Sequence, residues 1–277
     1  MAHPIPPEET RSVEQLREQL EVERELAQRL RNASDTRGLY SAVYDELLRR
    51  VPHLPALTQK HDAAAQAALV ALQLRLLEPF LVSRPRFLEV GSGDSVLAIE
   101  LSRRLPRVIA IEAGSGILEG VEKPANLELV VTDTPPYPLP DSCVELAFSS
   151  HVIEHLRPDD ALLHLTEMRR LLAPDGRYIC VTPNRLWGPH DISRYFSDAP
   201  AGLHLREYTH NELLRLMKKA GFRKARVIAK LGATDALLPH LYTRVVELAG
   251  SSGLRLLSRG KSAPFRLFEQ VIVSGMR

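Results

Sequence analysis

"FLEVGSGDSV", residues 87–96, is the stretch on which the fold turns. Phe87, Leu88 and Val90 favour a strand, Gly91-Ser92-Gly93 breaks it, and helix-forming residues resume from Val96. A strand that passes through a glycine turn into a helix lets backbone N–H groups approach a nucleotide-like ligand. Which ligand it holds depends on the residues around it.

Working outward, strands and helices alternate. Strand 86–90 and helix 95–105 lead to strand 107–112, a short helix near 117–120 and strand 127–133. Strand 143–150, a helix from 158 and strand 176–184 follow. The next helix, 209–221, carries a capping box at Thr209 and Glu212 and closes on Gly221. Strand 224–231, a helical insertion at 237–258 and a final strand at 268–276 complete the chain. Such alternation predicts an α/β fold, a parallel sheet with helices on both faces.

Upstream, residues 1–11 are rich in proline and glutamate and predict a disordered N-terminus. Val13, Leu16, Leu20, Leu26 and Leu30 mark an amphipathic helix over 12–31, and further helices are expected at 39–51 and 58–82. Residues 12–82 thus form an N-terminal helical extension, a lid over the site or an oligomerisation element of a homodimer. Residues 83–277 form the main domain.

The turn lacks the Gly-Lys-Ser/Thr of a nucleoside triphosphate site. It also departs from the dinucleotide pattern, because Val96 stands where the third glycine belongs. Glu89, two residues before Gly91, would repel a pyrophosphate and suits a cation. Glu112, ending the second strand, can accept from both ribose hydroxyls, and Asp133, ending the third, is placed for an adenine amino group. Acids at three successive strand ends with no phosphate clamp describe a positively charged nucleoside, and S-adenosyl-L-methionine is one.

With "EVGSGDS", "IAIEA", "VVTD", "YPLPDSCVELAFSSHVIEHL" and "EMRRLLAPDGRYICVTPN" in that order, residues 80–230 resemble the class I SAM-dependent methyltransferases, in particular the type-11 group. The resemblance implies a Rossmann-like, mostly parallel seven-stranded sheet with helices on both faces and the last strand antiparallel. It implies that Glu89, Gly91, Ser92 and Gly93 line the methionine and ribose side, that Glu112 holds the ribose, and that Asp133 and Thr134 flank the adenine. Ser150 and His151 would lie near the sulfonium. Ser95 replaces a glycine common in the motif, and its small side chain keeps the approach open.

His151 is either the base that takes an acceptor hydroxyl proton or a structural histidine under the loop. Glu154 reads as a supporting residue, and His155 is left open between chemistry and helix capping. The long segment 184–208, with Trp187, Tyr195 and Phe196, is the expected acceptor loop, and His190 and Asp191 are its catalytic candidates. His190, Asp191 and His204 match no metal-ligand spacing, so no metal is expected. The Asn/Asp-Pro-Pro-aromatic motif of N-methyltransferases is replaced by "SSHV", which points to O-methylation of a small molecule, sugar or glycan. The rival from another class is a catalytically inactive SAM-binding scaffold acting through its N-terminal helix.

A net charge of +2 over 277 residues, without basic blocks, argues against nucleic acid. Cys143 and Cys180 read as small buried hydrophobes, supporting neither a disulfide framework nor structural zinc. The opening "MAHPIPPEET" lacks signal-peptide order, and no membrane span is expected, so the expected compartment is cytoplasmic.

Overall fold

Short apolar runs bounded by glycine, proline and charge become strands in the structure, a computed structural model that describes residues 4–7, 9–58, 63–114, 123–231, 234–238 and 270–277. The strands are β1 (Phe87–Val90), β2 (Val108–Glu112), β3 (Leu127–Val131), β4 (Val144–Ser150), β5 (Leu172–Pro183), β6 (Lys224–Leu231), β7 (Thr234–Leu238) and β8 (Gln270–Met276). They form one sheet in the order β3-β2-β1-β4-β5-β8-β6-β7. The first five are parallel, and β8 enters antiparallel between β5 and β6. This is the expected methyltransferase-type sheet with an eighth strand, β7, added as an antiparallel edge partner of β6.

Period-two alternation sends the side chains of each central strand into two separate cores. Leu88, Val90, Ile109, Ile111, Ala147, Tyr178 and Cys180 face one side. Phe87, Val108, Ala110, Leu146, Phe148 and Ile179 face the other. Buried on both faces, these strands read as mostly apolar runs, broken by few polar residues such as Glu89 and Ser149.

Helices α1 (Val13–Asn32) and α2 (Leu39–Arg50) cover the first face, together with α6 (Pro158–Leu171) and α7 (His210–Lys219). A one-turn helix, α3 (Pro55–Thr58), precedes α4 (Ala63–Leu81), which covers the second face with α5 (Val96–Ser102). Both α1 and α7 begin with a capping box, at Ser12/Gln15 and Thr209/Glu212, each such cap contributing about 1 kcal/mol. The apolar stripe of α1 is spent within its own chain. Leu26, Ala27 and Leu30 join the first core, while Leu16 and Leu20 pack on Ile192 and Tyr195 of the 184–208 segment. Ahead of α1, Glu9 accepts hydrogen bonds from Arg11 and from Tyr195 Oη.

Three local expectations differ from the structure. Leu237 and Leu238, taken as the start of a helical insertion, belong to β7. Their pairing with Val227 and Ile228 satisfies the open edge of β6, which outweighs the helix preference of Ala236-Leu237-Leu238. The rest of 239–258 and the short helix near 117–120 lie outside the described residues. Strand β5 begins at Leu172, four residues early, because Leu172 pairs with Val144 before a register shift brings Arg177 opposite Leu146. Finally, α4 is long and apolar enough to cross a membrane by length and composition. Its last turns, through Leu76, Leu77 and Leu81, are buried against α5, while Leu69 and Leu72 are exposed. Cys143 and Cys180 are buried and unpaired.

Candidate functional site

The carboxyl ends of β1 to β4 open into a cleft of about 220 Å³. Val90, Gly91, Gly93, Ile111, Glu112, Asp133, His151 and His155 line it from the sheet side, and Tyr40 and Tyr44 of α2 form the opposite wall. A larger hollow of about 460 Å³ lies by the opposite ends of the strands, around Pro79, Phe80 and Arg177, away from these converging polar groups.

The two glycines of the turn are needed for different reasons. Both have left-handed backbones, φ +69° at Gly91 and +54° at Gly93. A Cβ on Gly91 would stand 2.3 Å from Val152 Cγ2, so packing demands glycine there. A Cβ on Gly93 would meet nothing within 4 Å, so its open side faces free space. Glu112 organises the turn. Its Oε2 accepts from the Gly93 amide at 2.7 Å and its Oε1 from the Ala113 amide at 2.9 Å. Burial raises its carboxyl above the ordinary range while these amides oppose the rise. Oε1 also accepts from the Gly114 amide at 3.4 Å, so the lone pair left for a hydroxyl donor is on Oε2.

Glu89 lies fully buried beside the turn. One oxygen accepts from the Ala98 amide, capping the first turn of α5, whose own N-cap Ser95 makes no side-chain cap bond. Its Oε2 has no partner among the described residues, and burial pushes the carboxyl up to about 8. Ser92 and Ser95 bond each other through their hydroxyls at 3.0 Å. Asp133 lines the cleft and also holds α2: Oδ1 accepts from the Gly38 amide and Oδ2 from the Ser41 amide, each at 3.1 Å. It therefore anchors the start of α2. Thr134 donates to Asp133, and Ser150 ends β4 without lining the cleft.

His151 follows β4 with φ +57°, a left-handed backbone uncommon outside glycine. Its Nδ1 lies 3.1 Å from Glu154 Oε1, and Glu154 Oε2 accepts from Thr182 Oγ1 at 2.8 Å. Burial works against the Glu154 charge, yet the hydrogen bond from His151 and the neighbouring histidines hold its carboxyl near 2. A carboxylate at Nδ1 requires a proton there, which leaves the Nε2 lone pair outward. Gln270 Nε2 approaches that nitrogen at 3.4 Å.

The 184–208 segment is ordered by its own polar groups. His190 takes its amide to Glu207 at 2.7 Å and its Nε2 to the Asn184 carbonyl at 2.9 Å. Asp191 accepts from the Ser193 and Gly202 amides, and Arg194 stacks over Tyr195. Neither His190 nor Asp191 lines the cleft, and their side chains hold the loop's shape. His190, Asp191 and His204 do not converge, whereas Glu154, His155 and His204 do. Tyr40, Tyr44 and Thr182 were absent from the candidates drawn from sequence. The spacing of Tyr40 and Tyr44, one helical turn apart, is the signal that could have exposed them.

Residues 60–227 match the family model of the methyltransferase domain. This chain belongs to the methyltransferase-domain family. It is 32% identical over 124 residues to the biotin biosynthesis bifunctional protein BioHC of Cellvibrio japonicus, covering 44% of this chain and 24% of that protein. It is 26% identical over 188 residues to the malonyl-[acyl-carrier protein] O-methyltransferase of Geobacter sulfurreducens, covering 60% and 68%. The chain thus spans between a quarter and about two thirds of these curated relatives. The crystal structure of a SAM-dependent methyltransferase from Archaeoglobus fulgidus superposes with a TM-score of 0.53 at 18% identity, covering 76% of this chain and 94% of that one.

The cofactor of the family, S-adenosylmethionine, fits the methyltransferase cleft. Open space over Gly93, the spare lone pair on Glu112 Oε2 and the orphaned Glu89 Oε2 suit a ligand with ribose hydroxyls and positive charge. One consequence is measurable. Near pH 7 the Glu89 carboxyl is mostly protonated in the free protein, and a cation brought beside it favours the carboxylate. Binding of S-adenosylhomocysteine, which carries an ammonium group, should release close to one proton, read from the dependence of calorimetric heat on buffer ionisation enthalpy. Glu89→Gln should remove that release; identical buffer dependence in both proteins rules the assignment out. The sign for stability follows from a raised folded-state value. The Glu89 contribution is present below the ordinary carboxylate range and is lost as pH rises through about 8.

Proposed function

We propose that the protein transfers a methyl group from S-adenosylmethionine to a hydroxyl of a small-molecule or sugar acceptor, with His151 as the base. The observation that carries this reading is the His151–Glu154–Thr182 chain beside the cofactor cleft. An unusual backbone conformation is retained to aim one imidazole, and a buried carboxylate fixes its tautomer.

The bound cofactor supplies an electrophilic methyl on a sulfonium, so the hard chemistry is its own. The protein aligns and deprotonates. Glu112 and the Gly91–Gly93 turn would hold the nucleoside, Glu89 would balance its charge, and Tyr40 and Tyr44 close the cleft against water. Alignment of this kind lowers a barrier by as much as roughly 7–11 kcal/mol. His151 Nε2 receives the acceptor's hydroxyl proton as the oxygen–methyl bond forms, and later gives it to solvent. A base so placed contributes about 10²–10⁴-fold. The O-methyltransferase among the relatives supports oxygen as the accepting atom.

The test is transfer of labelled methyl from S-adenosylmethionine to matched panels of alcohols, sugars, phenols and amines. Label recovered as methyl ether supports the reading. Label confined to nitrogen, or cofactor binding with no transfer to any panel member, overturns it.

A further inference from the structure

Beside the proposed base, three side chains from two segments converge on a different chemistry. Glu154 and His155 come from the turn after β4, and His204 comes from the loop. One ligand atom from each lies within 4.8 Å of the other two. The outer partners prepare both imidazoles. His155 Nδ1 stands 3.1 Å from the Leu203 carbonyl, which can only accept, so that nitrogen carries the proton. His204 Nδ1 stands 2.7 Å from Glu207 Oε1, a carboxylate partner that places the proton in the same way. A carbonyl on one ligating histidine and a carboxylate on the other is the outer arrangement found around metal-bound imidazoles. Among the described residues neither Nε2 meets a hydrogen-bond partner, and the two rings stand edge to face with centroids 4.9 Å apart.

The charge balance points the same way. Glu23, Glu154, Asp191 and Glu207 are all buried around this cluster, and among the described residues no lysine or arginine pairs with any of them. Glu207 Oε2 lacks a partner there altogether. So much buried carboxylate without a fixed cation is costly unless positive charge is supplied.

We propose that Glu154, His155 and His204 form a binding site for a divalent first-row transition metal ion of the zinc type. Two imidazoles and one carboxylate are a donor set for such ions, with positions left open for exogenous oxygen. Of the three, His155 alone lines the cofactor cleft, which puts the site just behind the cleft wall. Resting on the methyl-transfer reading, the cation would hold the acceptor oxygen and ease loss of its proton to His151. The binding site itself stands without that reading.

The experiment uses the full-length protein, stripped with a chelator and titrated with Co²⁺, whose visible absorption reports its coordination, followed by competition with Zn²⁺. One Co²⁺ per chain with a dissociation constant in the micromolar range or below, displaced by Zn²⁺, is expected. His155→Asn and His204→Asn keep an N–H for Leu203 and Glu207 but lose the ligating nitrogen. Each should weaken binding by roughly a hundredfold or more. Absence of a Co²⁺ spectrum up to millimolar concentration overturns the site, as does binding unaltered in both variants. Binding of S-adenosylhomocysteine and cooperative thermal unfolding are recorded on the same samples, so a failed cation site is distinguished from a failed cofactor site or a failed fold.

Discussion

Replacing His151 with asparagine is expected to reduce methyl transfer by about a hundredfold or more while leaving the affinity for S-adenosylhomocysteine within about twofold. Asparagine is preferred to alanine for this purpose because it tolerates the left-handed backbone held at φ +57°. An alanine there combines loss of the base with backbone strain of about 1–2 kcal/mol. The drop should appear in kcat and kcat/KM together, since the proton is accepted only as the reaction proceeds. Full activity removes His151 as the base. Loss of cofactor binding instead would mean that the imidazole holds the cleft together.

Glu112→Ala should weaken S-adenosylhomocysteine binding by roughly thirtyfold, about 2 kcal/mol, with the melting transition still cooperative. Two costs add. The ribose loses a charged acceptor, and the Gly93 and Ala113 amides lose the carboxylate that shapes the turn. Glu112→Gln, which keeps one accepting oxygen, should fall between wild type and alanine. An unchanged dissociation constant in isothermal titration would refute the ribose assignment.

Much of this architecture could be read directly from residues, and the reasons are physical. Strands buried on both faces must be largely apolar, so β1, β2, β4 and β5 stand out despite Glu89 and Glu145, and the glycine turn lies between such a strand and a helix. Gly93 and Glu112 could be paired in advance because strand order in such sheets is nearly fixed by topology. The dyad at His151 was half legible: the histidine's place after a central strand marked it, but Thr182 comes from the neighbouring strand. The cluster at Glu154, His155 and His204 was hidden because its members meet only after the loop folds back across 48 residues, as the His155–Leu203 bond shows. The strand-end position of Asp133 could be read from sequence, but its bonds to the amides of α2 could not. Local propensity failed at β7, where edge pairing decided the conformation.

The contact between α1 and the 184–208 segment has a consequence for re-engineering. Glu23 Oε2 accepts from the Leu203 amide across 180 residues of sequence, and the helix's Leu16 and Leu20 brace Ile192 and Tyr195. If 184–208 is the acceptor loop, substrate scope is not portable with that segment alone. Grafting 184–208 onto another scaffold would leave behind the helix that braces it, and trimming the N-terminus would remove contacts that hold a segment far downstream. Transplants that move the first helix and the segment together keep those contacts.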